Sequence, residues 1–204
     1  MSGHVRVLLL RHGETEWSRE GRHTGRSDIP LDAAGRAGAL EAGAALAGIE
    51  FTRVLVSPLR RARETAELAG LRGPAELCDD LMEWDYGEYE GRTSAEIGEE
   101  RPGWTIWDGG VVGGETLEEV GRRADRVLAR LRALEGNVAV VAHGHLLRVL
   151  AARWCGLEPL VARNLALEPA TISWLGHEHG TPTITLWNSR CGEEAPSRGV
   201  RERR

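Results

Sequence analysis

The sequence predicts an α/β fold with a mostly parallel central sheet and helices on both faces. Three observations predict it. Residues 5–10, apolar apart from Arg6, and 137–142, apolar after Asn137, are runs rich in β-formers, as expected of strands buried on both faces. Helix-like segments alternate with strands in a βαβα order. With 204 residues, the chain can build one sizeable core but falls short of two full domains.

The elements follow in order. Residues 5–10 form the first strand, ended by Arg11; the run is too short for a signal-peptide core and has no small-residue cleavage site. Residues 33–47 read as a helix, with Asp32 as N-cap and Gly48 as the stop. Residues 53–56 form a second strand, and a helix over 59–69 follows, ended by Gly70. Residues 78–115 lack periodicity and carry many aromatics, glycines and acids, which predicts an excursion over an active site.

Thr116 opens a strong helix. Thr116 and Glu119 have capping-box spacing, and Leu117, Val120, Ala124, Val127, Leu128, Leu131 and Leu134 form one apolar stripe. A buried strand over 137–142 and a helix over 146–154 come next. Residues 171–175 and 183–187 read as strands joined by a turn near Gly180, an antiparallel pair. Residues 1–191 are expected to form a single domain, and the charged, Gly/Pro-punctuated residues 192–204 a disordered tail.

Composition narrows the function. A net charge of −5 argues against a general electrostatic grip on nucleic acid. No apolar run approaches the length that spans a bilayer. The three cysteines, Cys78, Cys155 and Cys191, are widely spaced with no CxxC pairing, which fits free thiols in a reducing, cytoplasmic compartment. There is no lysine, so a P-loop lysine and Schiff-base chemistry are excluded. Any bound phosphate must be held by arginines, histidines and backbone amides.

In open α/β sheets, ligands bind beyond the carboxyl ends of the strands. Two strands here end on histidine, in Leu10-Arg11-His12-Gly13 and Ala142-His143-Gly144-His145, and a third ends at Ser57-Pro58-Leu59-Arg60-Arg61. If the strands are neighbours, His12, His143 and arginines from two loops meet. Two imidazoles with two guanidiniums suit a phosphoryl dianion and repel a metal ion, so no metal and no cofactor is expected. Within the arginine cluster, Arg60 precedes Glu64 and Arg63 precedes Glu67 by four residues, whereas Arg61 precedes Thr65. Arg61 is therefore the predicted phosphate ligand.

The motifs extend further. Arg11-His12-Gly13-Glu14-Thr15-Glu16-Trp17, Thr24-Gly25-Arg26-Ser27-Asp28-Ile29-Pro30-Leu31, Ser57-Pro58-Leu59-Arg60-Arg61-Ala62-Arg63-Glu64-Thr65-Ala66, Glu83-Trp84-Asp85-Tyr86-Gly87-Glu88-Tyr89-Glu90-Gly91, Gly114-Glu115-Thr116 and His143-Gly144-His145 follow one another in this order. Together they resemble the histidine phosphatase superfamily, the fold of cofactor-dependent phosphoglycerate mutase, and cover most of the chain before the tail. They look closest to its phosphatase branch, with sedoheptulose-bisphosphatase-like enzymes and actinobacterial acid phosphatases.

The resemblance implies a phosphohistidine intermediate on His12, a phosphate pocket of Arg11, Arg61 and His143, and Glu83 as proton donor. It also implies phosphate contacts from Thr24 and from the amides of Gly25 and Gly144. Ser18 stands where the family usually has asparagine, and its hydroxyl is the candidate contact there. Tyr86 is a candidate wall of the substrate pocket.

The chemistry follows from these residues. A neutral His12 attacks phosphorus in line while a backbone carbonyl holds its other nitrogen. Arg11, Arg61 and a protonated His143 neutralise the equatorial oxygens. Glu83 gives its proton to the leaving alkoxide and then activates water. Chemistry alone does not choose Glu83 over Asp79, Asp80, Asp85 or Glu88. His145 is expected at the rim of the site, and His23 at the surface or the pocket mouth. The expected substrate is a small phosphate ester. The rivals are a phosphoglycerate mutase and a non-catalytic phospho-ligand binding protein, and oligomeric state is not legible.

Overall fold

The computed structural model describes residues 5–190. Six strands form its sheet: β1 (Arg6–Arg11), β2 (Arg53–Val56), β3 (Ala75–Leu77), β4 (Asn137–Ala142), β5 (Ile172–Glu178) and β6 (Thr181–Ser189). Their order is β3-β2-β4-β1-β5-β6. The first four run parallel, and the β5–β6 hairpin adds to β1 antiparallel. This is the predicted mixed α/β architecture.

Alternation along the strands splits the core in two. Val7, Leu9, Val138 and Val140 face α5 (Leu117–Arg132) and α6 (Gly144–Trp154), meeting Val120, Val127, Leu147 and Trp154. Leu8, Leu10, Ala139 and Val141 face the other way, with Ala42 of α2 (Ala33–Ala45) and Ala62 of α3 (Arg60–Leu68). Burial on both faces is why β1 and β4 read as unbroken apolar runs.

Local signals place most boundaries. Asp32 caps α2 by accepting from the Gly35 amide at 2.8 Å, and Thr116 and Glu119 close a capping box on α5. The helix after β4 starts at Gly144, two residues before the expected start, with His143 in the N-cap position. Three elements had no periodic signal. They are β3, an exposed three-residue edge strand, and two short helices, α1 (Glu16–Arg19) and α4 (Ser94–Glu100), each opened by a threonine capping box. Residues 78–115 comprise two 3₁₀ turns, α4 and irregular chain. They fold back on the carboxyl ends of the strands, where Glu83 meets the amides that open α6. Among the described residues no helix is long and apolar enough to cross a membrane. The tail expected over 192–204 lies outside the described residues.

Candidate active site

The β1–β4 register pairs Arg11 with Ala142, so His12 and His143 leave the sheet side by side, their ring centroids 5.1 Å apart. Ser57 ends β2 on the same edge, its amide donating to Val141 O at 3.0 Å. The His12 amide donates to Ala142 O at 2.9 Å. Its ring Nδ1 lies 2.7 Å from Gly13 O. A carbonyl only accepts, so Nδ1 carries the proton and Nε2 keeps its lone pair. Burial, then the charges of Arg61 and Arg11, hold the His12 pKa well below the ordinary histidine value, so the ring is neutral. Thr65 ties this turn to α3. Its hydroxyl accepts from the Gly13 amide at 3.0 Å and donates to Arg61 O at 2.7 Å.

Arg61 is fully buried. Arg60 pairs with Glu64 at 2.8 Å, and Arg63 is exposed and makes no ion pair with Glu67. The Arg61 guanidinium is largely engaged with the protein. Nε donates to His143 Nδ1 at 3.2 Å, Nη1 to Ser27 O at 2.8 Å, and Nη2 to Thr24 O at 3.0 Å and Gly25 O at 2.9 Å. One of its five N–H donors, on Nη1, remains. A two-point grip on phosphate is therefore not available from Arg61, the predicted phosphate ligand, in this arrangement. Arg11 offers it instead: Nη1 donates to Leu167 O, and its buried Nε has no protein partner. Arg11 lines the cleft, and a guanidinium with an unpartnered N–H beside a cleft fits an anion.

His143 corrects another expectation. A guanidinium can only donate, so His143 Nδ1 accepts from Arg61, and its Nε2–H donates to Ser57 Oγ at 2.7 Å. Burial, then Arg61 and His12, push the His143 pKa well below the usual range. The ring is neutral rather than protonated, because a third cation beside Arg11 and Arg61 would be buried without a counter-charge.

Glu83 faces His12 from the excursion. Its Oε1 accepts from the amides of Trp84 at 3.0 Å and Leu146 at 2.9 Å, and Oε2 from the His145 amide at 3.0 Å. The last two are open N–H groups at the start of α6. Its rivals are placed elsewhere: Asp80 pairs with Arg126 at 2.6 Å, Asp85 accepts from the Gly87 amide at 3.0 Å, and Glu88 is exposed. Of these acids, only Glu83 lines the cleft.

That cleft has a volume of about 180 Å³, and Arg11, His12, Ser18, Thr24, Glu83, Tyr86 and Gly144 line it. A groove of about 880 Å³ beside α2 is larger, but Glu14, Glu41 and Glu168 line it against one cation, Arg190, which pairs with Glu168, so its net charge repels a phosphate. Arg61 and His143 sit behind the cleft's lining.

Three other expected contacts are engaged within the protein. The Ser18 hydroxyl donates to Thr15 O at 3.0 Å and accepts from the Thr15 amide at 2.9 Å, closing the cap of α1. The Gly25 amide donates to Glu90 Oε1 at 2.8 Å, and the Thr24 hydroxyl to Arg22 O at 3.1 Å. Gly25 serves packing: a Cβ there would lie 2.5 Å from Trp84 O and 2.6 Å from Glu90 Oε2. Gly144 lets Arg11 approach, since its Cβ would lie 3.2 Å from Arg11 Cζ.

The cleft also includes Arg22, His23, His145, Arg148 and Leu167, which were not among the predicted contacts. Of the two places expected for His23, the surface is ruled out, since it is buried, and it lines the cleft; burial pushes its pKa down to about 4. Burial, then Arg148, holds the His145 pKa well below the ordinary value, and burial, then Glu83, pushes Tyr86 well up. The Tyr86 hydroxyl therefore donates to His145 Nδ1 at 2.6 Å. Arg148 lies over the Trp107 ring, 4.5 Å from its centroid. The sequence had pointed to His145 at the rim and offered the pocket mouth for His23, whereas Arg22, Arg148 and Leu167 carried no such signal.

The profile of the histidine phosphatase superfamily (branch 1) matches residues 7–190. The chain belongs to this superfamily. It is 43% identical to an acid phosphatase of Mycobacterium tuberculosis over 89% of this chain and 91% of that protein. It is 38% identical to a sedoheptulose 1,7-bisphosphatase of Saccharomyces cerevisiae over 74% of this chain and 68% of that protein. The solved structure of a functionally characterised open reading frame of M. tuberculosis superposes with a TM-score of 0.85 at 39% identity, covering 91% of this chain and 97% of that one. The phosphohistidine chemistry typical of the superfamily needs a histidine with a free, neutral ring nitrogen beside an anion pocket. His12 has these features in this chain.

Proposed function

We propose that this chain hydrolyses small phosphomonoesters, sugar phosphates or similar metabolites, through a phosphohistidine on His12. The observation that carries the reading is the His12 tautomer: Nδ1–H is held by Gly13 O, and Nε2 is left as the nucleophile in a cleft shared with Arg11 and Glu83. The Nε2 lone pair attacks phosphorus, and the ester P–O bond breaks as Glu83, in its protonated form, gives its proton to the departing alkoxide. Water then attacks phosphorus and its proton goes to the Glu83 carboxylate. The P–N bond breaks, and inorganic phosphate and a neutral His12 are released.

Arg11 holds the equatorial oxygens, with the remaining Nη1 proton of Arg61 and the amide of Gly144 behind it. The two guanidiniums supply the charge a metal would otherwise bring, so the reaction runs without metal or cofactor. Residues 1–191 act as one domain, in the cytoplasm, with free thiols at Cys78 and Cys155. Neither nucleic acid nor membrane is a partner.

The test is a panel of phosphorylated metabolites, read as inorganic phosphate released in the presence of a chelator and ranked by kcat/KM. Phosphate release with an acid-labile phosphoenzyme is the expected result. Isomerised phosphoglycerate without phosphate release would make the chain a mutase. Binding with no burst on a chromogenic ester would make it a non-catalytic phospho-ligand protein.

A further inference from the structure

The chain from Glu83 to Tyr86 has no helix or strand to hold it, yet it carries the carboxyl assigned to proton transfer. Two side chains outside the cleft grip its backbone. Arg123, on the buried face of α5, donates from Nη1 to Asp80 O at 2.8 Å and Met82 O at 2.7 Å, and from Nη2 to Glu83 O at 3.2 Å. Its remaining donors meet Glu115: Nε to Oε1 at 2.6 Å and Nη2 to Oε2 at 2.7 Å. All five N–H groups of this guanidinium are thereby engaged.

Glu115 completes the frame. Its Oε2 accepts from the Asp85 amide at 3.0 Å, its carbonyl accepts from Trp84 Nε1 at 2.8 Å, and its own amide donates to Asp85 O at 3.0 Å. Burial alone would raise the Glu115 pKa, but the hydrogen bonds and charge of Arg123, the Asp85 amide and Arg26 lower it on balance, so the pair is ionised. The contacts run from Asp80 to Asp85 and bracket Glu83 on both sides.

We propose that the Arg123–Glu115 pair is the positioning device for Glu83: it fixes the backbone from which the carboxyl reaches the leaving oxygen, and so governs proton transfer rather than phosphate binding. This rests on the reading of Glu83 as the acid. Neither residue lines the cleft, and neither donates to the groups that hold Arg11, His12 or Arg61. Proton transfer is sensitive to such placement, because a displacement of about 1 Å can cost about 10²-fold.

The experiment compares the phosphorylation step on a sugar phosphate, a poor leaving group, and on p-nitrophenyl phosphate, a good one. Arg123→Lys keeps the charge and loses the planar fork. It is expected to slow phosphorylation by the sugar phosphate about 10- to 100-fold. KM and the burst with p-nitrophenyl phosphate should stay within about twofold, because general acid help matters little for a good leaving group. In a Glu83→Gln background the same substitution should cost nothing further, since the group it positions is already gone.

Removing one member of a buried ion pair leaves the other uncompensated. A second variant, Arg123→Met with Glu115→Gln, removes both charges and is read the same way if the lysine variant does not fold. Equal losses on the two esters, or losses that multiply in the Glu83→Gln background, would overturn the proposal. If Glu83→Gln itself fails to discriminate between the two esters, the reading of Glu83 as acid falls first, and the positioning role falls with it.

Discussion

The floor and the wall of the cleft are built by different means. The floor is the carboxyl edge of a parallel sheet. His12 and His143 follow Arg11 and Ala142, which the β1–β4 ladder sets opposite each other, and every apolar side chain of those strands is buried. The wall, from Glu83 to Glu90, has no ladder. It is held by side-chain hydrogen bonds: Arg123 to Glu83 O, Asp85 to the Gly87 amide, and Arg101 to the Tyr89 hydroxyl at 2.6 Å. A sheet edge places nucleophile and anion pocket with little room for adjustment. A wall of individual polar contacts can be re-aimed by single substitutions, which suits the side that meets the variable part of the substrate.

The largest expected effect is on the floor. His12→Ala removes the proposed nucleophile and should lower turnover on the order of 10⁴-fold or more, on good and poor leaving groups alike. Loss of the phosphoenzyme in an acid-quenched burst is the measurement. A phosphoenzyme that persists would move the covalent step to another residue.

Floor and wall meet at the Glu83 carboxylate, on the His145 and Leu146 amides, and again at Glu90. Glu90 accepts from the amides of Gly25 at 2.8 Å and Ser27 at 3.1 Å, and the carbonyls of that same loop hold Arg61. Glu90→Ala leaves two amides unsatisfied, a cost of about 1–3 kcal/mol each where they are buried. It should weaken inhibition by inorganic phosphate about tenfold or more through Arg61. If phosphate affinity is unchanged, the two halves are independent and Arg61 is fixed by the floor alone.

The third effect is on pH. The pKa values of His12, His143 and His145 are depressed well below the ordinary value, and His23 lies near 4, in each case chiefly by burial. The free enzyme should therefore keep a neutral nucleophile into acid. The acid limb of kcat/KM, corrected for the substrate's own ionisation, should lie well below about 6.5.

Stability runs the other way. As pH falls, these rings charge in the unfolded chain first, near their ordinary value of about 6.5. Their contribution is whole above that pH and is lost below it, down to about 4 for His23. Each such histidine steepens the fall by up to about 1.4 kcal/mol per pH unit. Thermal midpoints between about pH 7 and pH 5 should drop less in His23→Gln than in the parent. An equal drop would mean that His23 titrates alike in both states.

What was legible follows the same division. The strand-end histidines were readable because strands buried on both faces leave unbroken apolar runs. Arg61 stood out because helical spacing gave Arg60 an acidic partner, Glu64, which it meets. The protonation state of His143 was not readable, since it depends on Arg61 and Ser57 arriving from β2 and α3. Nor was the engagement of the Gly25 amide by Glu90, a contact across 65 residues of sequence. The wall, α4 and the edge strand β3 carry no period that a helix or strand template detects.

The smallest effect concerns Ser18, which lines the cleft yet has its hydroxyl proton engaged by Thr15 O. The phosphoryl dianion of an ester only accepts hydrogen bonds, so the Ser18 hydroxyl can donate to it only by giving up its bond to Thr15 O in the cap of α1. Two outcomes separate the roles. As a cap, Ser18→Ala should cost about 0.5–2 kcal/mol of stability and leave phosphate inhibition within about twofold. As a phosphate contact, it would lose a hydrogen bond to a charged group, worth about 1.5–3 kcal/mol, and weaken inhibition about tenfold or more. The geometry favours the first, because the hydroxyl and the Thr15 side chain satisfy both amides of a capping box and the anion still has Arg11 Nε, which has no other partner. A tenfold loss of phosphate affinity in Ser18→Ala, with the thermal midpoint unchanged, would show that the cap opens when the substrate binds.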